Sequence, residues 1–315
     1  MQRPALLAVD WGTSALRGAL LAADGTVLAR HAAPLGLLSV PPGGWQAAFD
    51  AEFGVWLTAH PGLPCLLAGM VGSRQGWAEA PYAACPAGLA DIARQLRWLQ
   101  PGRLAIVPGL CCEPDGVPDV LRGEETQVFG ALQALQSPGM AGGAHTLVLP
   151  GTHSKWVQVD GGQVHGFRTH MTGETYALLR QQSILARMLP AEDGDLDAEA
   201  FDAGVARAQQ PGGLLHHLFS VRTLALFERA GGAALASRLS GLLIGEELRA
   251  QALPPGQPVT VLGSAALAQR YQRALAASGH PVRLAPDDAT WHGLLAVARA
   301  AGLVAGAVSA GTLPA

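Results

Sequence analysis

The chain opens on an apolar strand pattern, "ALLAVD", that ends on a carboxylate, then passes through a short polar turn into two further strand-like runs, "ALRGALL" and "TVLARHA". Asp24-Gly25 between the last two is a hairpin signal. Over residues 45–60, Trp45, Phe49, Phe53, Trp56 and Leu57 recur at helical spacing. The stretch "PCLLAGMVGSRQGW" predicts a strand running into a glycine-rich loop, "GLADIARQLRWLQPG" a helix stopped at Pro-Gly, and "RLAIVPGL" a buried strand. In "GEETQVFGALQALQSPG", Val128, Leu132 and Leu135 share one helix face, with Ser137-Pro138-Gly139 as the stop.

The pattern then restarts. "HTLVLPGTHSKWVQVDGGQVHGF" is again strand, Gly-Thr turn, strand, tight turn at 160–162, strand. Gly12 and Gly151 are 139 positions apart (151 − 12), and each precedes a threonine. So long a period predicts a duplicated domain rather than a solenoid. Helical segments follow ("ETYALLRQQSILARML", "LLHHLFSVRTLALFERA", "ASRLSGLLIGEELRAQAL"). After them come a strand "PVTVLG", a helix "AALAQRYQRALAAS", a short strand "PVRLAP" and a closing helix "ATWHGLLAVARAAG". This alternation predicts an α/β protein of two domains, 1–138 and 139–303, with a poorly ordered tail over 304–315. Gly241 and Gly245, four apart and beside Arg238, Glu246 and Glu247, predict a close helix–helix contact rather than a membrane dimer.

Composition narrows the classes. The 315 residues are 49% hydrophobic and 14% charged, with net charge −3, as in a globular chain large enough for two cores. The absence of a basic patch or of aromatic-basic interleaving argues against nucleic acid as partner. Apolar runs break well before the length of a membrane span, and the N-terminal one is too short for a signal peptide, so the expected location is cytoplasmic. The cysteines at 65, 85, 111 and 112 lack CxxC spacing, which argues against structural zinc; Cys111-Cys112 reads as two reduced thiols. Oligomeric state is not legible; a homodimer stays open.

The chemistry lies in the two turns. A carboxylate at a strand end must be solvated, paired or metal-bound, because burying it bare is costly. Asp10 is therefore the candidate to hold Mg²⁺, through water. Gly12, Thr13 and Ser14 offer backbone and hydroxyl donors to phosphate oxygens, and so do Gly151, Thr152, His153 and Ser154. Arg17 and Lys155 follow the turns, where a cation would neutralise a transferring phosphoryl group. Either turn alone reads as a plain hairpin; two at matched places predict one nucleotide's phosphates held from both sides of an interdomain cleft. No GxxxxGK[ST] loop is present.

With these residues in place a family resemblance emerges. "AVDWGTSALRGALL" resembles the first phosphate motif of the actin/hexokinase/heat-shock-70 ATPase superfamily. "LVLPGTHSKWVQV" resembles its second, with Pro150 where many members carry an acidic residue, and "VTVLGSAALAQRY" resembles its adenosine motif. Together with "GMVGSRQGW", "RGEETQVFGAL" and "FRTHMTGETYALL", the chain through about residue 303 resembles the 2-dehydro-3-deoxygalactonokinases. The resemblance implies two duplicated actin-like (ribonuclease H-like) domains with a nucleotide cleft between them, and approach of Gly263, Ser264 and Ala265 to adenosine. It also implies Mg²⁺·ATP-dependent phosphorylation of the terminal, C6 hydroxyl of 2-dehydro-3-deoxygalactonate, in galactonate breakdown.

The superfamily places a catalytic aspartate where this chain has Glu124-Glu125; either could accept the hydroxyl proton at a helix start, Glu124 being preferred. Arg74, in a glycine-rich loop, suits bidentate recognition of the sugar acid's C1 carboxylate, and Gln75 and Trp77 would line the same pocket. Thr172 reads as the N-cap of the helix it opens. His145, His216-His217 and His292 lack metal-ligand spacing. Two alternatives stand beside this reading: a kinase of the superfamily acting on another sugar or polyol, and a non-catalytic actin-like sensor or scaffold.

Overall fold

The computed structural model describes residues 2–135, 143–192 and 194–305. The expected helix stop at Ser137-Pro138-Gly139, the 138/139 domain boundary and most of the 304–315 tail lie outside the described residues. Contacts divide the chain into two compact units: Met1–Ala144 with Gln158–Phe167 and Pro286–Ala315, and His145–Val157 with Arg168–Ala285. The closing helix, assigned by its position in sequence to the second domain, thus groups with the first unit.

The strands of the first unit are β1 (Pro4–Trp11), β2 (Leu16–Ala22), β3 (Val27–Ala33), β4 (Cys65–Ala68), β5 (Tyr82–Ala84), β6 (Arg97–Gln100), β7 (Leu104–Ile106), β8 (Gly109–Cys112) and β9 (Asp119–Leu121). Its helices are α1 (Trp45–Ala59), α2 (Leu89–Arg94), α3 (Glu124–Leu135) and the closing helix Ala289–Ala300. The main sheet runs β3-β2-β1-β4-β7-β6. β1 is antiparallel to β2 and parallel to β4, so the sheet is mixed.

A strand in the middle of a sheet covered on both faces reads as a continuous apolar run, and Leu6, Leu7, Ala8 and Val9 are all fully buried. Leu7, Val9 and Trp11 pack with Trp45, Phe49 and Phe53 of α1, where the Trp11 and Trp45 rings meet edge-on at 5.1 Å. The closing helix packs on β1, β2, β4 and α3. Two segments depart from the sequence expectation. "GLADIARQLRWLQPG" is helical only to Arg94, then becomes β6, an antiparallel edge beside β7. "RLAIVPGL" is split between β7 and β8, and β8 belongs to a separate small sheet, β5-β8-β9. Strands of three or four residues carry too few positions for their period to show.

The remaining elements are β10 (His145–Leu149), β11 (Ser154–Asp160), β12 (Gln163–His170), α4 (Thr172–Gln182), α5 (Ala198–Ala208), α6 (Gly213–Leu226), α7 (Gly232–Gln251), β13 (Val259–Val261), α8 (Ala265–Ala277) and β14 (Val282–Leu284). Their sheet runs β12-β11-β10-β13-β14, with β10 and β13 parallel. Val148, Val259 and Val261 pack against Phe201 and Val205 of α5, Ile244 and Leu248 of α7, and Tyr271 of α8. No helix among the described residues is long and apolar enough to cross a membrane.

Candidate functional site

In the first unit, parallel β1 and β4 end side by side, and ligands of α/β sheets collect beyond such carboxyl ends. β1 finishes on Asp10 and Trp11, followed by the Gly12–Ala15 turn. That turn is closed by the Gly12 N–H donating to the Ala15 carbonyl at 2.9 Å and braced by the Leu37 N–H on the Gly12 carbonyl at 3.0 Å. Thr13 and Ser14 are exposed at its tip. Asp10 is paired with Arg17, directly opposite on β2. The carboxylate is 15% exposed and the guanidinium 56%, so the pair sits at the rim of the sheet, open on its outer side.

β4 is followed by Gly69, whose φ of 94° suits glycine. A methyl group there would stand 2.8 Å from the Trp11 carbonyl oxygen and 3.2 Å from Asp10 Oδ1. Gly123, at φ 105°, lies against Gly69 in turn: its added methyl would be 3.1 Å from the Gly69 Cα. Two residues that can adopt these angles and tolerate this closeness bring the Glu124-Glu125 turn to the strand end that carries Asp10.

The two glutamates have different surroundings. Glu124 is half-buried, and one carboxylate oxygen accepts the Arg122 N–H at 2.9 Å. Glu125 is fully buried; its Oε2 accepts the Gly123 N–H at 2.6 Å, while Oε1 has no partner. Burial first, and the neighbouring Glu124 charge second, push the Glu125 carboxyl up to about 8, so at neutral pH it holds a proton. Arg122 ties this turn to the preceding loop: it donates to the Ala80 carbonyl at 2.8 Å and lies over the Tyr82 ring at 4.2 Å.

The loop after β4 separates the three residues expected at the sugar acid. Gln75 and Trp77 line a cavity of about 430 Å³ with Val40, Pro42, Trp45 and Gln46. Arg74 does not line it; its side chain is 83% exposed and pairs with Glu79 at 3.3 Å.

The second unit repeats the geometry at the ends of β10 and β13. Gly151, Thr152 and His153 form the turn, with Thr152 and His153 exposed. A methyl on Gly263, just past β13, would lie 3.5 Å from Pro150 Cδ, so the predicted adenosine segment Gly263-Ser264-Ala265 abuts this turn. The N-terminus of α4 closes on it as well. The Glu174 N–H donates to the Thr152 carbonyl at 2.9 Å, the His153 ring meets Glu174 at 2.6 Å, and a methyl on Gly173 would overlap the Gly151 carbonyl oxygen. Gly151, Thr172, Gly173, Ser240, Leu267 and Arg270 are among the residues around a cavity of about 350 Å³, the size of a small-molecule site.

Three sequence expectations are corrected here. Ser154 is completely buried as the first residue of β11, with its hydroxyl on Tyr271 Oη at 2.7 Å, so it is not presented to a phosphate. Lys155 is buried, and its Nζ donates to Thr169 Oγ1 at 2.9 Å. Both follow from the strand starting one residue sooner than the polar run suggested. Thr172 is not an N-cap: Met171 holds that position, and the Thr172 hydroxyl donates instead to Glu247.

Glu247 escaped the sequence reading. It is 3% exposed on α7 and takes hydrogen bonds from Trp156 Nε1 at 2.5 Å, from Tyr271 Oη at 2.8 Å and from Thr172. Burial pushes its carboxyl up, and the donors pull against that shift. Its signal was available: Ser240, Leu243, Ile244 and Glu247 fall on one helical stripe, which puts the carboxylate on the apolar face.

Among the described residues no group of three His, Cys, Asp or Glu is arranged to hold a metal ion. Asp10 nonetheless fits Mg²⁺, which binds through one or two carboxylates with water and substrate phosphates completing its shell.

The sequence profile of the 2-keto-3-deoxy-galactonokinase family matches residues 10–297. The chain is 37% identical over 300 residues to a Rhizobium meliloti (strain 1021) protein assigned as a 2-dehydro-3-deoxygalactonokinase, covering 93% of this chain and 96% of that one. It is 36% identical over 298 residues to the 2-dehydro-3-deoxygalactonokinase of Escherichia coli (strain K12), covering 93% and 97%. A crystal structure of a Sinorhizobium meliloti protein assigned the same activity superposes with a TM-score of 0.85 at 37% identity, over 94% of this chain and 98% of the other.

Proposed function

The chain belongs to the 2-keto-3-deoxy-galactonokinase family, and on that premise we propose that it transfers the γ-phosphoryl group of ATP to the C6 hydroxyl of 2-dehydro-3-deoxygalactonate. It is a phosphotransferase with an alcohol acceptor. Neither the polyol-kinase nor the sensor alternative is favoured by relatives of this identity and coverage.

The observation that carries the residue assignment is the Asp10–Gly69–Gly123 contact, which sets a carboxylate pair beside the strand end bearing Asp10. Glu124, half-buried rather than enclosed, accepts the C6 hydroxyl proton as that oxygen attacks the γ-phosphorus. The bond from the γ-phosphorus to the β,γ-bridging oxygen breaks, and ADP leaves. Glu125 holds its own proton at neutral pH and so keeps a second negative charge away from the incoming phosphoryl. Bound at Asp10, Mg²⁺ would neutralise phosphate charge. Arg17 exchanges Asp10 for a phosphate oxygen when nucleotide binds.

Each Gly-Thr turn offers donors to phosphate oxygens of ATP: Gly12, Thr13 and Ser14 in the first unit, and Gly151, Thr152 and His153 in the second. The nucleoside occupies the cavity beside Gly263–Ala265, and the sugar acid the cavity beside Gln75 and Trp77. Arg74 reaches the C1 carboxylate by leaving Glu79, an exposed pair worth little to stability. The matched strand ends support a duplicated actin-like architecture, with the closing helix belonging to the first domain. The enzyme works in the cytoplasm, where ATP is supplied, and a homodimer is compatible with this reading.

The test is coupled ADP release against 2-keto-3-deoxy acids, neutral hexoses and polyols. The acids are expected to give the highest kcat/KM; neutral hexoses turning over faster would overturn the substrate assignment.

A further inference from the structure

The nucleotide site assigned above leaves one buried group unused. Glu247 sits in the core of the second unit among Trp156, Ile244, Leu248 and Tyr271. A buried carboxylate is a poor source of stability, since well-packed apolar residues of similar volume serve as well or better. Here, though, the carboxylate is fully wired: Oε1 accepts from Trp156, and Oε2 from Tyr271 and Thr172. The Tyr271 hydroxyl proton is committed to Glu247, so the Ser154 hydroxyl must donate to Tyr271 Oη. One side chain on α7 therefore fixes β11 through Trp156 and Ser154, α4 through Thr172, and α8 through Tyr271.

Those anchored points surround the nucleotide elements. Ser154 is the residue directly after the Gly151–His153 turn. Thr172 opens the helix whose Gly173 touches that turn, and Thr172 and Tyr271 both line the 350 Å³ cavity. We infer that Glu247 is a positioning residue for the nucleotide, setting the phosphate turn and the cavity wall through Thr172 and the Tyr271–Ser154 chain. This inference rests on the assignment of that turn and cavity to nucleotide.

Glu247→Gln keeps the shape but turns one acceptor oxygen into a donor, so at least one of the three donors faces an N–H. The measurements are ADP affinity by titration calorimetry, KM for ATP and for the sugar acid, and Tm. With one hydrogen bond to a charged group lost, ADP affinity is expected to fall about 10- to 100-fold. KM for ATP should rise in parallel while KM for the sugar acid holds, a split that a merely structural role would not produce. Thr172→Val should weaken ADP in the same direction and Thr172→Ser should restore it. Because Thr172 is only half-buried, this pair decides the matter alone if Glu247→Gln does not fold. A folded Glu247→Gln protein, or in its absence a Thr172→Val protein, that binds ADP within about twofold of wild type would overturn the inference. Wild-type protein that fails to bind ADP would overturn the nucleotide assignment itself, and this inference with it.

Discussion

Glu124 and Glu125 are adjacent in sequence and opposite in environment, and the consequences are measurable. Glu124→Ala is expected to lower kcat by roughly 10²–10⁴, the range for a positioned general base, with KM for the sugar acid little changed. A loss of that size in Glu125→Ala with none in Glu124→Ala would move the role by one residue. Glu125 has a second signature, in stability. Its carboxyl stands near 8 in the fold, against an ordinary 4.5. Between those values the folded state keeps a proton that the unfolded chain has lost. Stability is therefore fully present below about pH 4.5 and falls as pH rises through about 8, by up to about 1.4 kcal/mol per pH unit. Glu125→Gln should remove that slope from a urea-denaturation series over pH 5 to 8; an unchanged slope would show that other groups set it. The acidic pair was legible because charge at a helix start is a local signal. The burial of Ser154 and Lys155 was not, because it depends on partners as far along the chain as Tyr271 and on the strand's first residue.

Elements follow the same division. Most helices of three turns or more announced themselves, though α5 (Ala198–Ala208) did not, and the Gly241/Gly245 spacing gave a packing contact as well. A methyl on Gly241 would overlap the Phe201 carbonyl oxygen, and one on Gly245 would stand 2.8 Å from the Ala208 Cβ, where α7 meets α5. Gly241→Ala is expected to cost about 1–3 kcal/mol, the range for overpacking, read as a lower urea midpoint; an unshifted midpoint would show that α5 moves away freely. Gly173→Ala strikes a functional contact instead. Its methyl would push α4 off the Gly151–Thr152 turn, raising KM for ATP more than KM for the sugar acid. The β5-β8-β9 sheet left no comparable trace. Its strands are three and four residues long, and pairing with distant segments, not periodicity, makes them strands.

For the whole molecule, the restart at Gly151 was the most informative feature of the chain. It located two sheets whose central strands end on Gly-Thr turns, each beside the end of a parallel neighbour. The sequence order of the domains did not foresee where the closing helix would go, because an apolar face does not specify which sheet it will cover. With each turn holding phosphate, Thr13→Val and Thr152→Val should each weaken ADP binding, and the rise in Tm that ADP brings should shrink in both. Sensitivity confined to one turn would assign the phosphates to that unit alone.

The most direct test follows the phosphoryl group itself. Purified protein with Mg²⁺·ATP and 2-dehydro-3-deoxygalactonate is examined by phosphorus NMR for a phosphate ester coupled to the two C6 protons. The expected result is that ester, formed one-for-one with ADP and lost in Glu124→Ala. ADP without a sugar phosphate, or an ester at another carbon, would contradict the account.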